Sequence, residues 1–362
     1  MPQQQMNQLL TGHWVAQALF TVAKLGVPDV IGGRALAAGE IAEKVGANPA
    51  YLRRLLRALA SVGVFAEDTR GRFKATPLSN TLRAAAQHSL RDFALVLLAD
   101  YNYRSWERLH DAVKSGKTAF DLEHGQPIFD YLKAHPAEDR LFSAAMASIS
   151  STEIEGVARA YPFGRFEKLI DVGGAHGHVL AAILRRHRKL RGVLYDQPQV
   201  VAHAAASGFI TAPEVRDRCE VVGGSFFDSV PRGADAYLMR GVVHDWEDDR
   251  CARILTLCRD ALAPGGRVLV VEPVILPGNA PDWMKWMDIN MLVAVGGQER
   301  TEAEFRALFE KAGLELVKIY PAGQSSILEA APRGRQSRRD RPRRGARGRQ
   351  ARRASVRAAL KS

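Results

Sequence analysis

Cysteine is scarce in this chain. Three residues, Cys219, Cys251 and Cys258, are too few and too odd in number for a disulfide framework, which points to a reducing compartment. Long apolar runs are also missing. None reaches the roughly 18 residues that a membrane span needs. The opening MPQQQMNQLL lacks the basic start and apolar stretch of a signal peptide. A cytoplasmic protein with no membrane partner is expected. Charge of one sign is absent from most of the molecule. The formal charge of +12 looks like a nucleic-acid signal, but residues 333–362 hold thirteen Lys or Arg against one acid, Asp340, and account for all of it. Residues 1–332 are formally neutral. The tail has almost no large apolar side chains and cannot bury a core, so it is expected to be disordered.

What is present divides into four stretches. Residues 10–85 read as a helical unit closed by a hairpin. Asn48 is a good N-cap, Pro49 suits the first helical position, and Leu52, Leu55, Leu56 and Leu59 recur at helical spacing. Helix, turn, helix and hairpin form a winged-helix pattern. Arg53, Arg54 and Arg57 could meet phosphates on DNA, or could be the solvated face of a structural or dimerising module. A neutral body favours the module, because DNA is a steeply charged partner. Residues 86–160 read as a helical connector. From residue 161 to 332 apolar strands alternate with helices, the pattern of an α/β parallel sheet covered on both faces. Thr301 and Glu304 form a capping box, and LELVKIYP with SSILEAA closes the sheet as a pair of strands.

The first strand of that region ends in Asp171-Val172-Gly173-Gly174-Ala175-His176-Gly177 and gives way to a helix. Glycines there allow a ligand close to the backbone. The spacing is not the G-x-G-x-x-G that seats a dinucleotide pyrophosphate. Asp196 ends the second strand and can accept both hydroxyls of a ribose. A cofactor with a ribose and no phosphate, S-adenosyl-L-methionine, fits both features.

Further motifs stand in a fixed order: YDQP, GGSFFDSVP, LMRGVVHDWEDDRC, LAPGGRVLVVEPV and DINMLVAVGGQERTEAEF. Together with DVGGAHG they make residues 10–331 resemble the small-molecule O-methyltransferases of plant and bacterial secondary metabolism, which include the caffeate, acetylserotonin and hydroxyneurosporene methyltransferases. The resemblance implies a Rossmann-like class I methyltransferase sheet and an N-terminal winged helix that pairs two chains as a homodimer. It implies cofactor contacts from Gly173, Asp196, Ser225, Phe226 and Arg240. Ser225 stands where many relatives carry an acid, and Ala175 replaces a glycine.

The resemblance also makes His244 the general base, with Glu272 and Glu299 as carboxylates beside it. The chemistry suits the assignment. A phenol ionises at roughly pH 10, and histidine at roughly 6.5 is a free base at neutral pH that can take its proton. Asp245 either contacts the acceptor or caps the helix that follows. The family places Asn290 and Met291 against the acceptor, the connector of residues 86–160 is expected to contribute to the acceptor pocket, and Met146 and Phe142 are weaker candidates. The methionine stripe Met284, Met287, Met291 suits a core as well as a flat aromatic ligand. No metal is expected. The expected reaction is methyl transfer to a hydroxyl of a small aromatic metabolite. The alternatives are N-methylation, a member of the scaffold that has lost transfer, and a winged-helix regulator that senses a ligand and binds DNA.

One consequence is testable at this level. A chain ending at Pro332 should fold, pair and transfer methyl groups as the full chain does, and any binding of nucleic acid should vanish with the tail and fall steeply with salt. Sequence-selective DNA binding by the shortened chain at physiological salt would return the winged helix to a DNA-reading role.

Overall fold

Alternating apolar residues set the architecture of the C-terminal half. In the computed structural model, which describes residues 1–204 and 208–334, the tail beyond residue 334 lies outside the described residues. Three short strands near the N-terminus are β1 (Ala35–Ala37), β2 (Phe65–Glu67) and β3 (Arg72–Ala75). The remaining strands are β4 (Lys168–Val172), β5 (Arg191–Asp196), β6 (Cys219–Gly223), β7 (Ala234–Arg240), β8 (Leu262–Glu272), β9 (Val274–Ile275), β10 (Arg300–Thr301), β11 (Leu314–Ala322) and β12 (Ser325–Pro332).

Seven of them form one sheet among the described residues, in the order β11-β12-β8-β7-β4-β5-β6. Strands β4 to β8 are mutually parallel, while β12 runs antiparallel to β8 and β11 antiparallel to β12. The sheet is therefore mixed. Side chains of each central strand alternate between two cores. Ile170, Val172, Tyr237, Met239, Val268 and Val270 pack with the helices Asp248–Ala261 and Glu302–Lys311. Leu169, Leu238, Leu269 and Val271 pack on the opposite face with His178–Arg186 and the end of Pro136–Ala160. The capping box at Thr301 forms as expected, with its hydroxyl accepting from the Glu304 amide.

This topology locates the site. The chain runs outward from β4 through β5 to β6, then returns to the other side of β4 as β7 and β8. At such a reversal the carboxyl ends of the strands leave a crevice. The ends of β4, β5, β7 and β8 carry the glycine loop, Asp196, Arg240 and Glu272 respectively.

The N-terminal unit has its own core of Val22, Ile31, Ile41, Leu52, Leu56, Leu59, Phe65 and Phe73. The Asn48 side chain accepts from the amides of Ala50 and Tyr51. The hairpin β2–β3 forms, and β1 adds a third strand beside β3 that the sequence pattern did not suggest. Arg53, Arg54 and Arg57 are exposed. No helix among the described residues is long and apolar enough to cross a membrane.

Candidate active site

The glycine loop after β4 owes its composition to crowding. Gly173 has φ +71°, and a Cβ there would sit 2.7 Å from Val242 Cγ2 and 3.6 Å from the Phe226 ring. Phe226 therefore stands over the loop, packed against Phe227 at a ring separation of 4.9 Å. Ala175 adopts φ +49°, a left-handed conformation unusual for a side-chain-bearing residue. Its amide donates to Asp196 Oδ2 at 2.9 Å, and the Gln197 amide donates to Asp196 Oδ1 at 2.7 Å. Each carboxylate oxygen keeps a further lone pair for a ribose hydroxyl. The Ser225 hydroxyl accepts from the Phe227 amide at 3.3 Å and so shapes its own turn.

Arg240, expected beside the cofactor, is paired within the chain. Its Nη2 lies 3.1 Å from Glu153 Oε2 on the long helix Pro136–Ala160, and Glu153 also accepts from the Ser325 hydroxyl. Below the loop sits Asp171, near the end of the first strand of the region. Its carboxyl is fully buried, with Oδ2 unpartnered. Burial, then the charge of Asp196, push its pKa up to about 7, against the pull of Arg240. An acid ending an apolar strand before a glycine run was the available signal.

His244 rides on a short 3-10 turn, Val243–Asp245, beyond β7. Its Nδ1 lies 3.0 Å from Glu299 Oε1 and 3.4 Å from Glu272 Oε2. In the structure Glu299 makes the shorter contact, and Glu272 Oε1 accepts the amides of Val242, Val243 and His244 at 3.1, 2.9 and 3.3 Å. Glu272 thus anchors the backbone of the turn. With Nδ1–H donated to Glu299, the neutral ring carries its lone pair on Nε2. Asp245 Oδ1 is 3.7 Å from that nitrogen. The N-cap of the helix Asp248–Ala261 is Glu247, which makes no side-chain cap, and Asp245 lies two residues before it.

Burial opposes a charged ring at His244, but the carboxylates of Glu272, Glu299 and Asp245 outweigh it and lift the imidazolium pKa to about 10. Burial raises Glu272 and Asp245 above the usual carboxylate range, with His244 pulling each back. The donor atoms of His244, Glu272 and Glu299 lie within 4.8 Å of one another. Glu272 Oε1 is already engaged by three backbone amides.

The glycines of GGQER bring Glu299 there. Gly296 has φ +72°, and a Cβ on Gly297 would overlap the His244 carbonyl oxygen. The next amide, Gln298, donates to that oxygen at 2.9 Å, and the Glu299 amide donates to Asp288 Oδ1 at 2.9 Å.

An open groove of about 830 Å³ lies among helices, lined by Phe93, Leu97, Tyr103, Trp106, Trp286 and Asn290 among others. Asn290 Oδ1 is buried without a partner, and its Nδ2 is 3.8 Å from Met287 Sδ. The other expected acceptor contacts do not line this groove. Met291 is buried, Phe142 packs edge-on to Phe129 within an aromatic cluster, and Met146 is half-buried on the long helix. Phe93, Tyr103 and Trp106 come from the connector expected to contribute to the acceptor pocket, on the helices Arg91–Leu97 and Asp100–Glu107, and Trp286 joins them from Trp283–Ala294.

The profile of an O-methyltransferase domain matches residues 106–315, and that of an O-methyltransferase dimerisation domain matches residues 7–84. The chain belongs to the O-methyltransferase family. It is 41% identical to a phenazine O-methyltransferase of Lysobacter antibioticus over 90% of this chain and 95% of that one. It is 35% identical to an 8-amino-8-demethylriboflavin N,N-dimethyltransferase of Streptomyces davaonensis over 85% and 89%. The crystal structure of a methyltransferase in calicheamicin biosynthesis, bound to S-adenosylhomocysteine, matches with a TM-score of 0.83 at 33% identity, over 91% of this chain and 98% of that one. The fold is the class I methyltransferase fold, and the enzyme is an S-adenosylmethionine-dependent O-methyltransferase. The residues fit that cofactor: Asp196 keeps lone pairs for a ribose, and Phe226 stands beside the glycine loop.

Two outcomes follow for the histidine turn. In nuclear magnetic resonance titrations His244 should hold its proton well above the ordinary histidine range of about 6.5. Glu299→Gln should lower that value, because a carboxylate that favours the imidazolium is gone. An unchanged midpoint would show that Glu299 does not act on the ring. Gly297→Ala should cost about 1–3 kcal/mol of stability in urea melts, the usual range for forced overpacking.

Proposed function

We propose that this enzyme methylates a hydroxyl of a small aromatic metabolite, with His244 as general base. The observation that carries the reading is the His244 ring held at Nδ1 by two buried carboxylates, with Nε2 left as the basic nitrogen. When bound, S-adenosylmethionine supplies a sulfonium methyl. Gly173, Asp196, Ser225, Phe226 and Arg240 are the proposed cofactor residues. The aromatic groove would take the flat acceptor, and Asn290 Oδ1 would accept from a polar group on it. Met291, Met146, Phe142 and Asp245 keep at most a supporting part.

In the reaction the acceptor oxygen forms a bond to the methyl carbon as the carbon–sulfur bond breaks, and the hydroxyl proton passes to His244 Nε2. Glu299 and Glu272 stabilise the resulting imidazolium, as the acid of a catalytic triad does. Their charge also holds a proton on the ring below alkaline pH. A resting imidazolium paired with a bound phenolate is an equivalent ground state, with the same atoms and the same total charge. Water exclusion helps, because phenolate and sulfonium neutralise each other in the transition state.

The N-terminal unit is proposed to pair two chains. Leu9, Leu10 and Trp14 are 68%, 66% and 65% exposed, large apolar side chains that a partner would cover. A cytoplasmic setting in bacterial secondary metabolism suits three free cysteines and the antibiotic-pathway relatives.

Calorimetry with S-adenosylhomocysteine and a mass-spectrometric screen of phenolic acceptors for the gain of one methyl test the reading together. His244→Ala should bind the cofactor normally yet lose roughly 10²-fold or more in turnover, the usual cost of removing a general base. The defect should shrink for acceptors already ionised. An amine attacks through its own lone pair and sheds its proton afterwards. Full turnover by His244→Ala on weakly acidic phenols would therefore overturn the general-base role, whereas turnover on amines alone would point to nitrogen as the acceptor.

A further inference from the structure

Arg300 follows Glu299 directly and is 1% exposed, the largest fully buried side chain of the described residues. A guanidinium so deep in a protein is costly unless every donor is used. Its bonds converge on the turn that carries His244. Nη1 donates to the carbonyl of Val243 at 3.0 Å and Nη2 to that of Trp246 at 3.0 Å. Nε and Nη2 reach Asp248 Oδ1 at 3.1 and 2.8 Å. A longer contact runs from Nη1 to the Gln298 carbonyl at 3.4 Å.

The turn is therefore held by its two polarities. Glu272 takes its amides from one side, and Arg300 takes its carbonyls from the other. The backbone of Arg300 is itself fixed, since β10 pairs with β9 at Arg300 and Val274, two residues past Glu272. One dipeptide thus supplies both the carboxylate that meets the ring and the cation that grips the ring's backbone.

We propose that Arg300 is a positioning residue that sets the hydrogen bond between His244 and Glu299. The inference rests on the reading of His244 as the base for its effect on turnover, though not for its effect on geometry. Lysine cannot replace it. An ammonium is a point charge with three donors, whereas the planar fork reaches two carbonyls and a carboxylate together.

The test uses the full chain carrying Arg300→Lys. Affinity for S-adenosylhomocysteine by calorimetry should be unchanged, which shows that the cofactor edge is intact. Turnover should fall roughly 10–100-fold with little change in the acceptor KM, because a misplaced catalytic group costs rate more than binding. The imidazole nitrogen signals of His244 should titrate at lower pH than in the parent, as the Glu299 contact is lost. Normal turnover with an unchanged His244 titration would overturn the proposal. Should Arg300→Lys fail to fold, Asp248→Asn serves instead. Asp248 is half-exposed, and its loss removes the ion partner of Arg300 without vacating the core. The same downward shift of the His244 titration is expected, and its absence overturns the proposal. If His244→Ala retains turnover, the base reading falls, and the titration of His244 in Arg300→Lys still decides the positioning role.

Discussion

The carboxylate of Glu272 holds the catalytic edge together. It ends β8 fully buried, accepts three successive amides from one oxygen and faces the His244 ring with the other. An unpaired charge at that depth would cost several kcal/mol. The three amides and the imidazole offset the cost, so the turn must sit where it does for the strand end to be tolerable. Sheet and turn are in this sense one object. The parallel pairing of β7 with β8 brings the turn and the carboxylate to the same edge, and the two cores keep that pairing rigid.

Charge is gathered around His244 rather than dispersed. Three acids and one histidine share a small volume, and burial raises Glu272 and Asp245 while the acids raise the ring. Protons in such a cluster belong to the group as a whole. A ring that readily keeps its proton is a strong base once it has lost it, which suits an acceptor whose own proton is weakly acidic.

How much of this could be read from the sequence depends on the distance over which each rule acts. The Asn48 cap and the Thr301–Glu304 box depend on neighbours within four residues, and both formed as read. The strands were legible from apolar runs, although the antiparallel placement of β12 depends on tertiary packing. Motif order brought His244, Glu272 and Glu299 to one place, but not the division of labour between the carboxylates, which depends on where a turn points its amides. Arg300 carried no signal, since an arginine in a sequence is ordinarily solvated. The aromatic groove was only partly legible, because its walls are drawn from helices far apart in the sequence, from Gly12 to Asn290.

That groove has a consequence for how such an enzyme diversifies. Its walls come from Gly12–Leu25, Arg91–Leu97, Asp100–Glu107 and Trp283–Ala294, and no strand of the large sheet contributes a side chain to them. The groups proposed to handle the proton stand at strand ends and in the turns beyond them. A wall residue can change size or polarity without disturbing a carboxylate at the sheet edge, so, if the groove takes the acceptor as proposed, new acceptors can be explored by drift in the helices while the proposed chemistry is inherited intact.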